Sequence, residues 1–121
     1  MTPHATAPDT VVLLNHPFKP RKGSGVFTRL RLYADRVEVR RLGLTLRTIP
    51  LADVEDVYVS SVSDDPVNLR LQLRGGASLA GHVSAVALWK FKLRELLGLT
   101  EVTAPVRSGY YGYGHRLTKA A

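Results

Sequence analysis

The chain has 121 residues, 45% of them hydrophobic and 22% charged. That is one domain's length with the composition of a packed fold, which excludes wholesale disorder and a fibrous repeat. It has no cysteine, so disulfides, thiolate catalysis and cysteine-based zinc sites are excluded together. Seventeen Lys and Arg against ten Asp and Glu give a net charge of +7, which points to an anionic partner until it is divided along the chain.

Residues 1–25 hold three cations and one anion, residues 26–102 eleven cations and nine anions, and residues 103–121 three cations and no anion. The middle is nearly balanced, and most of the excess lies in the two flanks. Met1 to Asp9 has no basic n-region and no apolar run, so it does not read as a secretory signal. The longest apolar candidate, Val83 to Leu99, is interrupted by Lys90, Lys92, Arg94 and Glu95, and nothing approaches the ~20 residues of a bilayer span. A cytoplasmic address is expected by elimination.

Residues 1–9 read as a flexible N-terminal segment. Thr10 to Leu14 is a short β-prone run, followed by His16-Pro17 and a basic loop, Lys19-Pro20-Arg21-Lys22-Gly23-Ser24-Gly25. Val26 to Tyr33 alternates, with Thr28, Leu30 and Leu32 on one face and Arg29 and Arg31 on the other. A turn at Ala34-Asp35 leads to Arg36–Leu42, where Val37 and Val39 face inward, and after Gly43 a further strand runs over 44–51. Pro50-Leu51-Ala52-Asp53 reads as a tight corner before a strand over 54–61, and Asp64-Asp65-Pro66 as a turn. Val67 to Arg74 is the cleanest strand, turned back by Gly75-Gly76 into a short strand over 77–82. The period then changes: Val86, Trp89, Leu93, Leu96 and Leu97 form one stripe of a helix within 83–97, with Ser84 as N-cap and Gly98 as terminator. The expected fold is mainly β: a small antiparallel barrel of six or seven strands over 10–99, capped by a C-terminal helix. The Tyr/Gly-rich basic tail, 100–121, need not be ordered.

Leu30 to Leu44 (LRLYADRVEVRRLGL), followed by Arg47 to Val57 (RTIPLADVEDV) with its Ile49-Pro50-Leu51-Ala52-Asp53-Val54 corner, resembles bacterial pleckstrin-homology-like domains across roughly residues 26–98. The resemblance implies a barrel with one end plugged by the Leu88-Trp89-Lys90 helix. A lipocalin-like or other small helix-capped barrel is the alternative fold. Lys22 with Arg29-Leu30-Arg31 is similar to the lysine and Arg-x-Arg with which many eukaryotic members hold a phosphoinositide. Carried to this chain, it implies a looser attraction to anionic lipid more than a specific phosphoinositide site.

Enzyme signatures are missing. There is no phosphate loop, no dinucleotide fingerprint and no nucleophile elbow. His4, His16, His82 and His115 do not pair at metal-ligand spacing, and Asp53, Glu55 and Asp56 read as a solvated acidic corner. No catalytic residue, metal or cofactor is expected. If the third strand turned back at Gly43-Leu44, Arg29, Arg40 and Arg47 would stand side by side on the outer face. Such a like-charge row calls for an anionic partner or nearby carboxylates, or else is a set of long stems with solvated heads. In the tail, Tyr110, Tyr111 and Tyr113 interleave with glycine, Arg107 and Arg116, a pattern that suits bases and phosphates or a segment laid against the barrel or a neighbouring subunit. The expected function is a non-catalytic interaction module. Its site residues would be Lys19, Arg21, Lys22, Arg29, Arg31, Arg40 and Arg47, with tail contacts from Tyr110, Tyr111, Tyr113 and Arg116. The partner would be a protein segment, a second copy or an anionic lipid surface; the alternative is nucleic acid, bound through the arginine face and the tail.

Overall fold

Apolar residues at every second position give several strands one face to bury, and the computed structural model joins those faces over a single core. It describes residues 10–23, 25–62, 64–103 and 106–119; the N-terminal segment 1–9, expected to be flexible, lies outside them. The strands are β1 (Leu14–Pro20), β2 (Thr28–Leu32), β3 (Arg36–Arg41), β4 (Leu44–Pro50), β5 (Val54–Ser60), β6 (Leu69–Leu73), β7 (Ser78–Val83), β8 (Leu99–Glu101) and β9 (Gly114–Lys119). One helix, α1 (Val86–Leu97), separates β7 from β8. All pairings are antiparallel, in one open sheet of order β4-β3-β2-β1-β7-β6-β5-β9-β8.

The protein is thus mainly β, with nine strands among the described residues where six or seven were expected, and α1 is not the last of its elements. β9 inserts between β5 and β8, in register from Asp56↔Thr118 to Ser60↔Gly114. It brings a single fully buried apolar side chain, Leu117, so alternation over 114–119 is too sparse to announce a strand. β1 also lies later than the run Thr10–Leu14. It crosses two prolines because it changes partner between them: Leu14–Pro17 pair with β2, and Phe18–Pro20 pair with β7. Each proline ends one of these ladders, where a missing N–H costs least.

The sheet is rolled. Arg47 Nη1 on β4 donates to the Ser78 carbonyl on β7 at 3.2 Å, although the two strands are four places apart in the order. In a flat sheet that separation is about 19 Å, beyond the reach of any side chain. The interior of the roll holds Leu30, Leu32, Val37, Ile49, Val57, Leu71 and Val83, with Trp89 and Leu93 of α1. The Pro50 corner is present as a single 3₁₀ turn over Leu51–Asp53 that buries Leu51.

α1 starts at Val86, two residues after Ser84. Its N-cap is Ala85 in the left-handed region (φ 59°), with no side-chain cap. Gly98 ends it, also left-handed, its N–H bonded to the Arg94 carbonyl. The Trp89 indole N–H donates to Nδ1 of His16 at 3.0 Å, giving the buried ring the polar partner it needs. Asn68 extends the β6–β7 ladder with its side chain: Nδ2 donates to the Val83 carbonyl and Oδ1 accepts from the Val83 N–H, both at 2.9 Å.

Candidate functional site

The end of β1 is where the basic loop and the tyrosine-rich segment meet. Lys19, Pro20 and Arg21 form one wall of an open cleft of about 810 Å³. Pro66, Val67, Arg70 and the loop from Arg107 to Gly112 complete its lining. Tyr110 and Tyr111 lie on that loop edge to face, ring centres 5.3 Å apart.

What holds the loop is Asp65. Its carboxylate is buried, yet it accepts four hydrogen bonds. Oδ1 takes the N–H of Val67 and of Tyr110, each at 2.8 Å. Oδ2 takes the Ser60 hydroxyl at 2.8 Å and the Tyr111 N–H at 3.2 Å. Burial pushes the Asp65 pKa up, but the Val67 and Tyr110 N–H groups, the Ser60 hydroxyl and the Tyr111 N–H outweigh it. The carboxyl therefore sits below its ordinary value. Gly109 makes the close approach possible. It adopts φ +72°, and a Cβ there would strike the Asp65 carboxylate and come within 2.7 Å of the Val67 carbonyl oxygen.

The cleft is lined by four cations, Lys19, Arg21, Arg70 and Arg107, and by no Asp, Glu or His. Arg70 lies over the Tyr58 ring at 4.1 Å, which fixes its guanidinium without neutralising it. The charged ends of Lys19, Arg21 and Arg107 have no hydrogen bond or ion pair to a described residue. A second hollow of about 270 Å³ adjoins the cleft through Pro20 and Arg21 and adds Lys22, Arg47 and Ser78 to Ala80. Together the two hollows form one band of six cations with no carboxylate in either lining.

Lys19, Arg21, Lys22, Arg47, Tyr110 and Tyr111, named from the sequence, come together in this band. The arginine row does not form. Arg29 does face Arg40, but the third hairpin turns at Leu42-Gly43, one residue earlier than expected, and a bulge follows between Val39 and Arg40. Arg40 therefore faces Thr45, and Arg47 faces Val39 on the apolar side of the sheet. On the outer side the counter-charge is Glu38, in register with Arg31. It accepts from Arg36 Nε at 2.8 Å and from Arg40 Nη1 at 3.1 Å. Burial opposes ionisation of Glu38, and the bonds from Arg36 and Arg40 prevail to lower its pKa. Arg29 donates to the Asn15 side chain at 2.8 Å, and Arg31 lines neither hollow. The Lys22 and Arg29-Leu30-Arg31 set is thus split, since only Lys22 reaches a hollow. Tyr113 contributes its carbonyl to Ser61 and Ser60, and Arg116 pairs with Asp56 at 3.4 Å.

Arg70, Ser108 and the supporting Asp65 were not expected at a site, and Arg107 was expected only within the tail's pattern for bases and phosphates. Alternation shows that Arg70 points outward, but only the rolled sheet decides what it points toward. The Asp-Pro turn signal at 65–66 and the glycines at 109 and 112 mark tight backbone without saying that the two segments touch. Neither a family model nor a curated protein matches the chain.

Proposed function

We propose that this chain is a non-catalytic interaction module of pleckstrin-homology-like character that binds an anionic surface or an acidic protein segment along the band from Lys19 to Arg107. The observation that carries this is the band itself: six cations over two adjoining hollows with no carboxylate in either lining. Fixed charge of one sign in a concave wall concentrates the field and steers an oppositely charged partner toward it. Neither lining holds a histidine or a carboxylate, the commonest general bases, which favours binding over turnover.

The test is retention on immobilised heparin, a general polyanion, at low salt. Wild-type protein is expected to bind and an Arg21→Ser/Lys22→Ser/Arg107→Ser variant to elute earlier, while Arg29→Ser behaves as wild type. Flow-through of the wild-type protein, or equal retention of the triple variant, overturns the proposal.

A further inference from the structure

We propose that the wider cleft takes a phosphate-bearing molecule with a flat ring: a free nucleotide, or the end of a nucleic-acid single strand. The phosphate would lie among Lys19, Arg21, Arg70 and Arg107, and the ring against Tyr110 and Tyr111. The inference rests on the reading above that the band binds anions, and it adds the ring.

Three features of the cleft carry it. The first is the contrast between backbone and side chains in the 107–112 loop. The backbone is fixed by Asp65 at Tyr110 and Tyr111 and by the tight passage at Gly109. Yet Tyr110 and Tyr111, on that fixed backbone, remain 75% and 49% exposed. These two are held in place by their backbone and offered to solvent within the cleft lining. The second is their arrangement. With the rings at 85° to each other, the edge of one is satisfied by the other and a ring face stays open. An incoming base has such a π-face to stack upon, whatever its identity.

The third feature is size and charge together. At about 810 Å³ the cleft falls in the range of sites that enclose a small molecule, roughly 300–1,000 Å³, while its neighbour of about 270 Å³ is smaller than that range. Guanidinium groups match phosphate oxygens in a planar, bidentate geometry, and three of the four cations here are arginines. An acidic peptide would use the cations but leave the paired rings without a role, so the rings decide between the two ligands.

The experiment compares three probes by titration calorimetry at low salt: adenosine triphosphate, inorganic tripolyphosphate, which has the charge without the ring, and octathymidylate. Stacking contributes roughly 1–3 kcal/mol per base, so a ring-bearing probe is expected to bind about 5- to 150-fold more tightly than tripolyphosphate. In a Tyr110→Leu/Tyr111→Leu variant that preference should vanish while tripolyphosphate affinity is kept. Both rings are exposed, so the variant should fold as the wild type does, checked by circular dichroism. Preference for adenosine triphosphate assigns a free nucleotide; preference for octathymidylate alone assigns a strand end. Equal binding of all three probes, or a preference that survives in the leucine variant, overturns the ring inference and leaves the anion reading standing. If none of the three binds, both readings fail.

Discussion

Replacing Asp65 by Asn separates the charge of this residue from its shape. The Asn oxygen can still accept from the Val67 and Tyr110 N–H groups, both at 2.8 Å in the native chain. The new NH₂ then stands where Oδ2 accepted from Ser60 and from the Tyr111 N–H. The Ser60 hydroxyl can turn toward the Tyr113 carbonyl, which it already meets at 3.2 Å. The Tyr111 N–H cannot turn, and it is left facing a donor. Losing one charged acceptor and orphaning a part-buried N–H costs roughly 2–4 kcal/mol, or about 10 °C in Tm for a domain of this size.

The charge also fixes how that loss depends on pH. The Asp65 pKa is lowered in the folded chain because the Val67, Tyr110, Ser60 and Tyr111 donors overcome the effect of burial. Its contribution is therefore complete above the unfolded carboxyl pKa of about 3.9 and is lost as pH falls through the lower folded value. Urea unfolding of wild type and Asp65→Asn at pH 7 and pH 3 reads this directly. Glu38 and Glu101 also titrate low in the fold, but they are present in both proteins and cancel in the difference. The gap should be largest at pH 7 and shrink at pH 3. A gap of the same size at both, or below about 0.5 kcal/mol at pH 7, would refute the reasoning.

Three further outcomes follow from single contacts. His16→Phe removes the acceptor of the Trp89 indole N–H and leaves that N–H without a partner in the core; a loss of about 1–3 kcal/mol in denaturant unfolding is expected. Gly109→Ala places a methyl group against the Asp65 carboxylate and the Val67 carbonyl at a left-handed φ, so heparin retention should fall together with stability, and an unaltered elution position would count against the loop as a wall of the site. Leu42→Asn should raise stability by roughly 0.5–1 kcal/mol, because Leu42 holds φ +50° in an exposed turn that asparagine tolerates better; a lower Tm would show that the leucine is anchored by something other than the turn.

β2, β3, β6 and β7 were readable because apolar residues alternate along an uninterrupted run, as Leu69, Leu71 and Leu73 do in β6 and Val37 and Val39 in β3, whereas β4 buries only Ile49. The stripe through Trp89 and Leu93 made α1 equally plain. β9 was not readable. Its residues Gly114, His115, Arg116, Thr118 and Lys119 surround one core leucine, and its strand identity comes from the ladder with β5, a tertiary fact. β1 was misplaced for a related reason, since its two prolines look like breaks until the change of partner at Phe18 is seen. Half of the site was visible as a basic loop and a cluster of tyrosines. Arg47 was assigned to the wrong face because a turn one residue early, with a bulge after it, cannot be read from the Arg-Leu-Gly-Leu sequence alone. Arg70 is brought beside Arg107 by tertiary contacts, the ladders of β5 with β6 and β9 and the Asp65 clamp between 65–67 and 107–112.

The most direct test of the central claim, that the six-cation band is the binding surface, is the salt dependence of polyanion affinity for two sets of variants. Neutralising Arg21, Lys22 or Arg107 singly should weaken binding of a fluorescent heparin fragment. It should also lower the slope of log affinity against log salt by about one for each cation removed, through counterion release. Neutralising Arg29 or Arg31, which lie outside both hollows, should leave the slope unchanged. Equal slopes for the two sets, or no measurable affinity at low salt, would contradict it.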